Sequence, residues 1–264
     1  MRFAPPGWHR IRRCDHAEIV DRQTRAPVRA RQGKREGPRP VRKDGRADRR
    51  RDGEQDASRE RRDQEELKAW RPTRAQLEAA RGKGVRDVSA PGLDVLFVGI
   101  NPGLYTAAIG HHFGRPGNRF WSALHHAGFT PRVLSPFQER ELLGLGLGVT
   151  NLVNRATASA DELDDDAIRA GARSLARKIA RLRPAFVAFF GMGAFRVGFA
   201  RPKAVLGEQP ERIGASRVWL LPNPSGRTAG YQLDAIVDEL ARLRQAAVSG
   251  SSSTTTGSGR AVRR

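Results

Sequence analysis

The chain has 264 residues, 38% of them hydrophobic, with 48 Lys and Arg against 28 Asp and Glu and a formal net charge of +20. This is enough for one ordinary domain with extensions or for two small ones, and such a surplus of positive charge points to a polyanionic partner. A single cysteine, Cys14, excludes an internal disulfide, a cysteine-based zinc site and a four-cysteine iron–sulfur cluster, and fits a reducing cytoplasm.

Residues 1–86 carry 26 Lys and Arg against 14 Asp and Glu, so more than half of the excess charge sits in the first third of the chain. Runs such as Arg46-Ala47-Asp48-Arg49-Arg50-Arg51-Asp52 hold too little apolar surface to offset the entropy of ordering, and they predict a basic, largely disordered extension. Near its end, helix formers behind Thr73 predict a short helix over 74–82 with Thr73 as N-cap. Such a tail adds non-specific DNA affinity by releasing counterions. The plainer reading is a poorly constrained extension or an upstream start. No apolar run reaches membrane-spanning length, and the opening residues lack the apolar core of a signal peptide. A cytoplasmic protein without a membrane partner is expected, nucleoid-associated when bound to DNA.

The folded part is expected over 87–247, ahead of a flexible basic Ser/Thr/Gly tail at 248–264. Asp94–Gly99 is a candidate buried strand that runs into a Gly/Pro turn. Asn118–Gly128 places Phe120, Trp121, Leu124 and Ala127 on one helical face. Gly148–Val153 is a second strand. A long amphipathic helix over Asp166–Leu182 follows, with acidic residues at its start and Pro184 beyond its end. Ala185–Phe190 is continuously apolar, as expected of a strand buried on both faces. Arg217–Leu221 is a fourth strand and Tyr231–Gln245 a closing helix. Strands separated by helices imply an α/β fold, a three-layer α/β/α sandwich around a short, mainly parallel four-stranded sheet.

Ligands of such sheets bind outside the carboxyl ends of the strands. Two strand ends carry similar loops: Ile100-Asn101-Pro102-Gly103 after the first, and Pro222-Asn223-Pro224-Ser225-Gly226-Arg227 after the fourth. Each sets an amide side chain among prolines and glycines, and loops of this kind at neighbouring strand ends would clamp a pocket from both sides. Asn101 taken alone is equally a turn residue before Pro102. The pairs His111-His112 and His125-His126 lack a metal-ligand pattern, so no metal or other cofactor is expected. Gly191–Gly198 looks like a dinucleotide loop, but its spacing fails, and a strand-to-helix turn explains it better.

The segment GINPGLYTAAIGHHFGRPGNRFW resembles the first motif of the mismatch-specific uracil and thymine DNA glycosylases, a branch of the uracil-DNA glycosylase superfamily. LPNPSGR resembles their second motif, and GVTNLVNRAT resembles the segment between. Other branches need Asp at position 101, His at position 223, or four cysteines.

The resemblance implies the uracil-DNA glycosylase fold and a monofunctional enzyme. It would cut the N-glycosidic bond of uracil and related damaged pyrimidines in mismatched duplex DNA, leaving an abasic site. Asn101 would position the water that attacks C1′ of a nucleotide flipped out of the stack. Gly99 and Ile100 would offer backbone contacts to the base, Phe113 would stack on it, and Asn118 would brace the loop. Asn223, Pro224, Ser225 and Gly226 would bind backbone phosphate and carry Arg227 as the wedge. Bacterial members typically have Leu at the wedge and animal thymine enzymes Arg. Thr106 stands near C5 of the pyrimidine, where animal enzymes have Ala and the bacterial type Ser. The expected partner is double-stranded DNA containing G·U or related lesions, bound by a monomer. Phe113 as an ordinary core ring and Arg227 as a solvated surface residue are the bland readings. The rival for the whole chain is a catalytically silent DNA-binding protein that retains the fold.

Overall fold

The computed structural model describes residues 71–225 and 232–252. All of the described residues belong to the unit Arg71–Arg264. The basic stretch through Trp70, the loop residue Gly226, the expected wedge Arg227, Tyr231 and the tail beyond Ser252 lie outside the described residues.

Five strands form one sheet: β1 (Val95–Gly99), β2 (Leu147–Asn151), β3 (Phe186–Phe190), β4 (Gly207–Ile213) and β5 (Ser216–Leu221), in the order β2-β1-β3-β5-β4. The first four in that order run parallel, and β4 pairs antiparallel with β5. The strand alternation that sequence predicts is used on both faces. Val95, Phe97, Val149, Phe186, Ala188, Phe190, Trp219 and Leu221 enter one core. Leu96, Val98, Val187, Phe189, Val218 and Leu220 enter the other.

Helices cover each face, giving the three layers. With α1 (Arg74–Ala79) and α2 (Leu104–Ile109) preceding them in the chain, α3 (Phe120–His126), the short α4 (Glu141–Gly144) and α7 (Leu233–Ser252) contribute to the first core. They supply Phe120, Trp121, Leu124, Leu142, Ile236, Leu240 and Leu243. The second core is closed by α5 (Asp165–Leu182) and α6 (Met192–Gly198) through Ile168, Ala172, Leu175, Ile179, Leu182 and Phe195. The N-terminus of α5 is capped by Asp164, whose Oδ1 accepts from the Ala167 N–H at 2.6 Å. Its last turn ends in Arg183 at φ 49°, and Pro184 then bars continuation. Among the described residues no helix is long and apolar enough to cross a membrane.

The sheet has one strand more than the four expected. Gly207-Glu208-Gln209-Pro210-Glu211-Arg212-Ile213 is charged, contains a proline and has only Gln209 buried, so it lacks the apolar run that marks an interior strand. An edge strand tolerates this, because its outer side needs neither apolar cover nor every N–H.

Order also begins ahead of residue 87. Thr73 caps α1 reciprocally with Gln76, and Ala80, Val85 and Val88 are buried. Gly82 N–H donates to Ala156 O at 2.9 Å, and Ala156 N–H returns a bond to Lys83 O at 2.8 Å. Asn154 joins Val85 through both its amide atoms, at 2.8 and 3.0 Å. Residues 71–86 therefore brace the segment that follows β2. At the other end, α7 runs to Ser252, past the expected start of the tail.

Candidate active site

The loop after β1 is stitched to the segment after β2. Gly99 O accepts from Leu152 N–H at 2.8 Å, Ile100 O from Val153 N–H at 2.9 Å, and Pro102 O from Thr157 N–H at 3.3 Å. These bonds continue the parallel pairing beyond the last register pair, Gly99 with Asn151. Asn101 is thereby set opposite Arg155 and Thr157, and its Nδ2 donates to Arg155 O at 2.9 Å and to Thr157 Oγ1 at 2.7 Å.

The polarity of this network is fixed. A main-chain carbonyl only accepts, and the Thr157 hydroxyl spends its proton on Ser159 O at 2.6 Å. The NH2 of Asn101 must therefore face Arg155 and Thr157, and Oδ1 is left as an acceptor. Among the described residues Oδ1 carries no hydrogen bond. An amide held this way can orient a water molecule but is too weak a base to ionise one.

Phe113 is half-buried, with its ring stacked on Phe120 (4.0 Å between centroids, 19° between planes) and edge-on to Phe190. It packs against the fringe of the first core. Its backbone stands at φ 52°, the left-handed region, which costs an aromatic residue on the order of 1–3 kcal/mol and persists only where neighbours enforce it. Gly99 lies under the ring. A methyl group on Gly99 would sit 3.4 Å from Phe113 Cζ and 2.7 Å from Asn151 Oδ1, so glycine is what lets these two side chains converge over the end of β1. Ile100 turns its side chain toward Gly191, which stands at φ 104° beyond the end of β3. Thr106 is buried in α2.

Asn151 and His112 are absent from the residues that sequence singled out for the site. His112 is buried, its Nε2 lies 3.1 Å from Arg86 O, and its Nδ1 lies 3.5 Å from Asn151 Nδ2. Because a carbonyl only accepts, Nε2 bears the proton and Nδ1 is the acceptor. The Asn151 NH2 then faces His112 and its Oδ1 faces Gly99. Burial holds the imidazole below its ordinary pKa of 6.5, against the opposing pull of Glu139 and Asp87, so the ring is neutral near pH 7. Asn151 sits at a strand terminus and inside the segment GVTNLVNRAT, and those two features are the signals that could have found it. His125 bonds Thr130 O on the far side of α3 and does not join this cluster.

The second loop differs from the expectation in its place. β5 is separated from β1 by β3, so the two loops leave strands about 10 Å apart and not neighbouring ones. The gap lies over Gly191, which has no side chain. Asn223 Oδ1 accepts from Ser225 N–H at 3.0 Å and closes a tight turn. Arg119 reaches across from the start of α3: its N–H donates to Pro224 O and its Nη2 to Ser225 O, both at 3.0 Å. Asn118 Oδ1 accepts from the Phe120 N–H at 3.0 Å and starts α3.

The fixed amide of Asn101 and the half-buried ring of Phe113 both lie past the carboxyl end of β1, the edge at which open α/β sheets bind ligands. The chain belongs to the uracil DNA glycosylase superfamily, whose family model matches residues 86–244. Among solved structures it is similar to a solution NMR structure described as "a putative Uracil DNA glycosylase" from Methanosarcina acetivorans. The two share 16% identity over 62% of this chain and 97% of that one, with a TM-score of 0.44.

Proposed function

We propose that this chain is a monofunctional mismatch-type glycosylase that hydrolyses the N-glycosidic bond of uracil opposite guanine and leaves an abasic site. The catalytic domain is taken as 87–247, acting as a monomer on duplex DNA. The observation that carries the reading is the Asn101 amide, locked through its NH2 with Oδ1 left to hold a water.

In this reading the damaged nucleotide is flipped into the space above β1 and β3. Phe113 stacks on the pyrimidine, a contact worth about 1–3 kcal/mol. Asn151 Oδ1 accepts from N3–H of uracil, whereas cytosine offers a lone pair at N3, so the same oxygen repels the undamaged base. The water on Asn101 adds through its oxygen to C1′ as the C1′–N1 bond breaks and its electron pair leaves with the base. Since the amide is a weak base, the water proton departs late, to bulk solvent, and stabilisation of the leaving uracil anion by backbone N–H groups at Gly99 and Ile100 carries much of the barrier reduction. Asn223, Pro224, Ser225 and Gly226 are assigned to the phosphate backbone and Arg227 to the wedge. Thr106 is assigned to the C5 edge, where its methyl group crowds the methyl of thymine.

Single-turnover excision from duplexes with one G·U or G·T pair tests this. Asn101→Ala is expected to lose on the order of 10²–10³-fold or more in rate. A DNA-binding protein without catalysis would bind the duplex and release no base from the wild type. Thr106→Ala is expected to raise excision at G·T relative to G·U by about tenfold, the scale set by one methyl group in a close pocket. An unchanged ratio would remove Thr106 from the specificity assignment.

A further inference from the structure

Glu139 lies outside all the motif segments, yet it is one of the few buried carboxylates, with 5% of its surface exposed. It follows a tight turn, Pro136–Gln138, that is closed on itself by Ser135 and Gln138. Its Oε2 accepts from the His112 main-chain N–H at 2.8 Å, and its Oε1 from His111 Nδ1 at 2.9 Å. Phe137, two residues earlier, packs its ring on His111 at 4.6 Å. A buried carboxylate is tolerated only with such donors, and both come from the loop that precedes Phe113.

Three consequences meet in this carboxylate. Phe113 stands at φ 52° immediately after the residue whose N–H Glu139 holds. The His112 ring, carried by that same residue, bonds Arg86 O and thereby presents Nδ1 to Asn151. Asn151 Oδ1 and the Phe113 ring then converge over Gly99. We propose that Glu139 is a positioning residue of the pocket, clamping the 111–113 loop so that the Phe113 ring and the Asn151 amide face the base. The inference rests on the reading of Phe113 and Asn151 as base contacts. Glu139 itself touches no substrate.

The test uses the full chain with Glu139→Gln, Glu139→Asp and Glu139→Ala. Gln keeps an oxygen at the same reach for the His112 N–H, whereas Asp keeps the charge but withdraws it by one methylene. Hydrogen exchange at the amides of 111–114 is measured beside single-turnover excision at G·U, separating the maximal rate from the enzyme concentration at half-saturation. The Gln variant should hold amide protection and stay within about threefold of wild type. Asp and Ala should lose protection and fall on the order of 10- to 100-fold in maximal rate, the scale of a misplaced reacting group, with half-saturation shifted far less. Should the Ala variant not fold, the split between Gln and Asp decides. An Asp variant as fast as wild type, a Gln variant as slow as Asp, or unchanged exchange at His112 in the Asp variant overturns the role of Glu139. An inactive wild type instead overturns the glycosylase reading, a distinguishable failure.

Discussion

The two loops at the carboxyl edge of the sheet are held in opposite ways. The loop after β1 is stitched to its neighbour by three main-chain bonds and by both donors of its central amide. Of the loop after β5, residues 222–225 are described, and there Asn223 closes one turn bond while Arg119 donates two bonds from outside. A water-positioning group gains from being fixed, because a displacement of about 1 Å is enough to cost on the order of 100-fold in rate. In the proposed reading the second loop meets the DNA backbone, where attachment matters more than rigidity, and Arg119 supplies two such bonds.

Substitutions that strike each side separately put the contrast to the test. The largest effect is expected from Gly99→Ala, whose new methyl group lands 2.7 Å from Asn151 Oδ1 in a region where the backbone is pinned on both sides. Excision at G·U should fall by about 100-fold with an altered Phe113 environment, read by single-turnover kinetics; a near-normal rate would mean that the loop yields. Next is Thr157→Val, which removes the acceptor of one Asn101 donor while keeping the shape. A loss of about tenfold in maximal rate is expected, one hydrogen bond being worth about 1.4 kcal/mol here, and Thr157→Ser should restore it. The smallest effect belongs to Arg119→Ala. It should weaken DNA binding by about three- to tenfold, measured by titration of an abasic duplex, and leave the maximal rate nearly unchanged. If Arg119→Ala instead cuts the rate as deeply as Thr157→Val, the division of labour between the loops is wrong.

Much of this arrangement is legible along the chain. The strand ends, the motif residues Asn101 and Asn223 and the long α5 all follow from short-range patterns, since period, capping and turn chemistry act within a few residues. Thr73, Asp164 and Pro184 mark helix limits for the same reason. Asn151 escaped because it closes an apolar strand, where a polar residue reads as a boundary. Glu139 escaped because it sits among ordinary surface-type residues, and its burial arises from contact with a loop 27 positions away. β4 escaped because an edge strand needs no apolar run.

The sequence alone determined the class of fold and the two strand-end loops with their amide side chains, because these depend on local pattern. Tertiary structure decided what lies between them. It set β3 between the motif strands, laid Thr157 and Arg155 against Asn101, and brought His112 and Glu139 to bear on Asn151. Sheet order and burial are long-range properties, and no periodicity within one segment encodes which other segment will cover it.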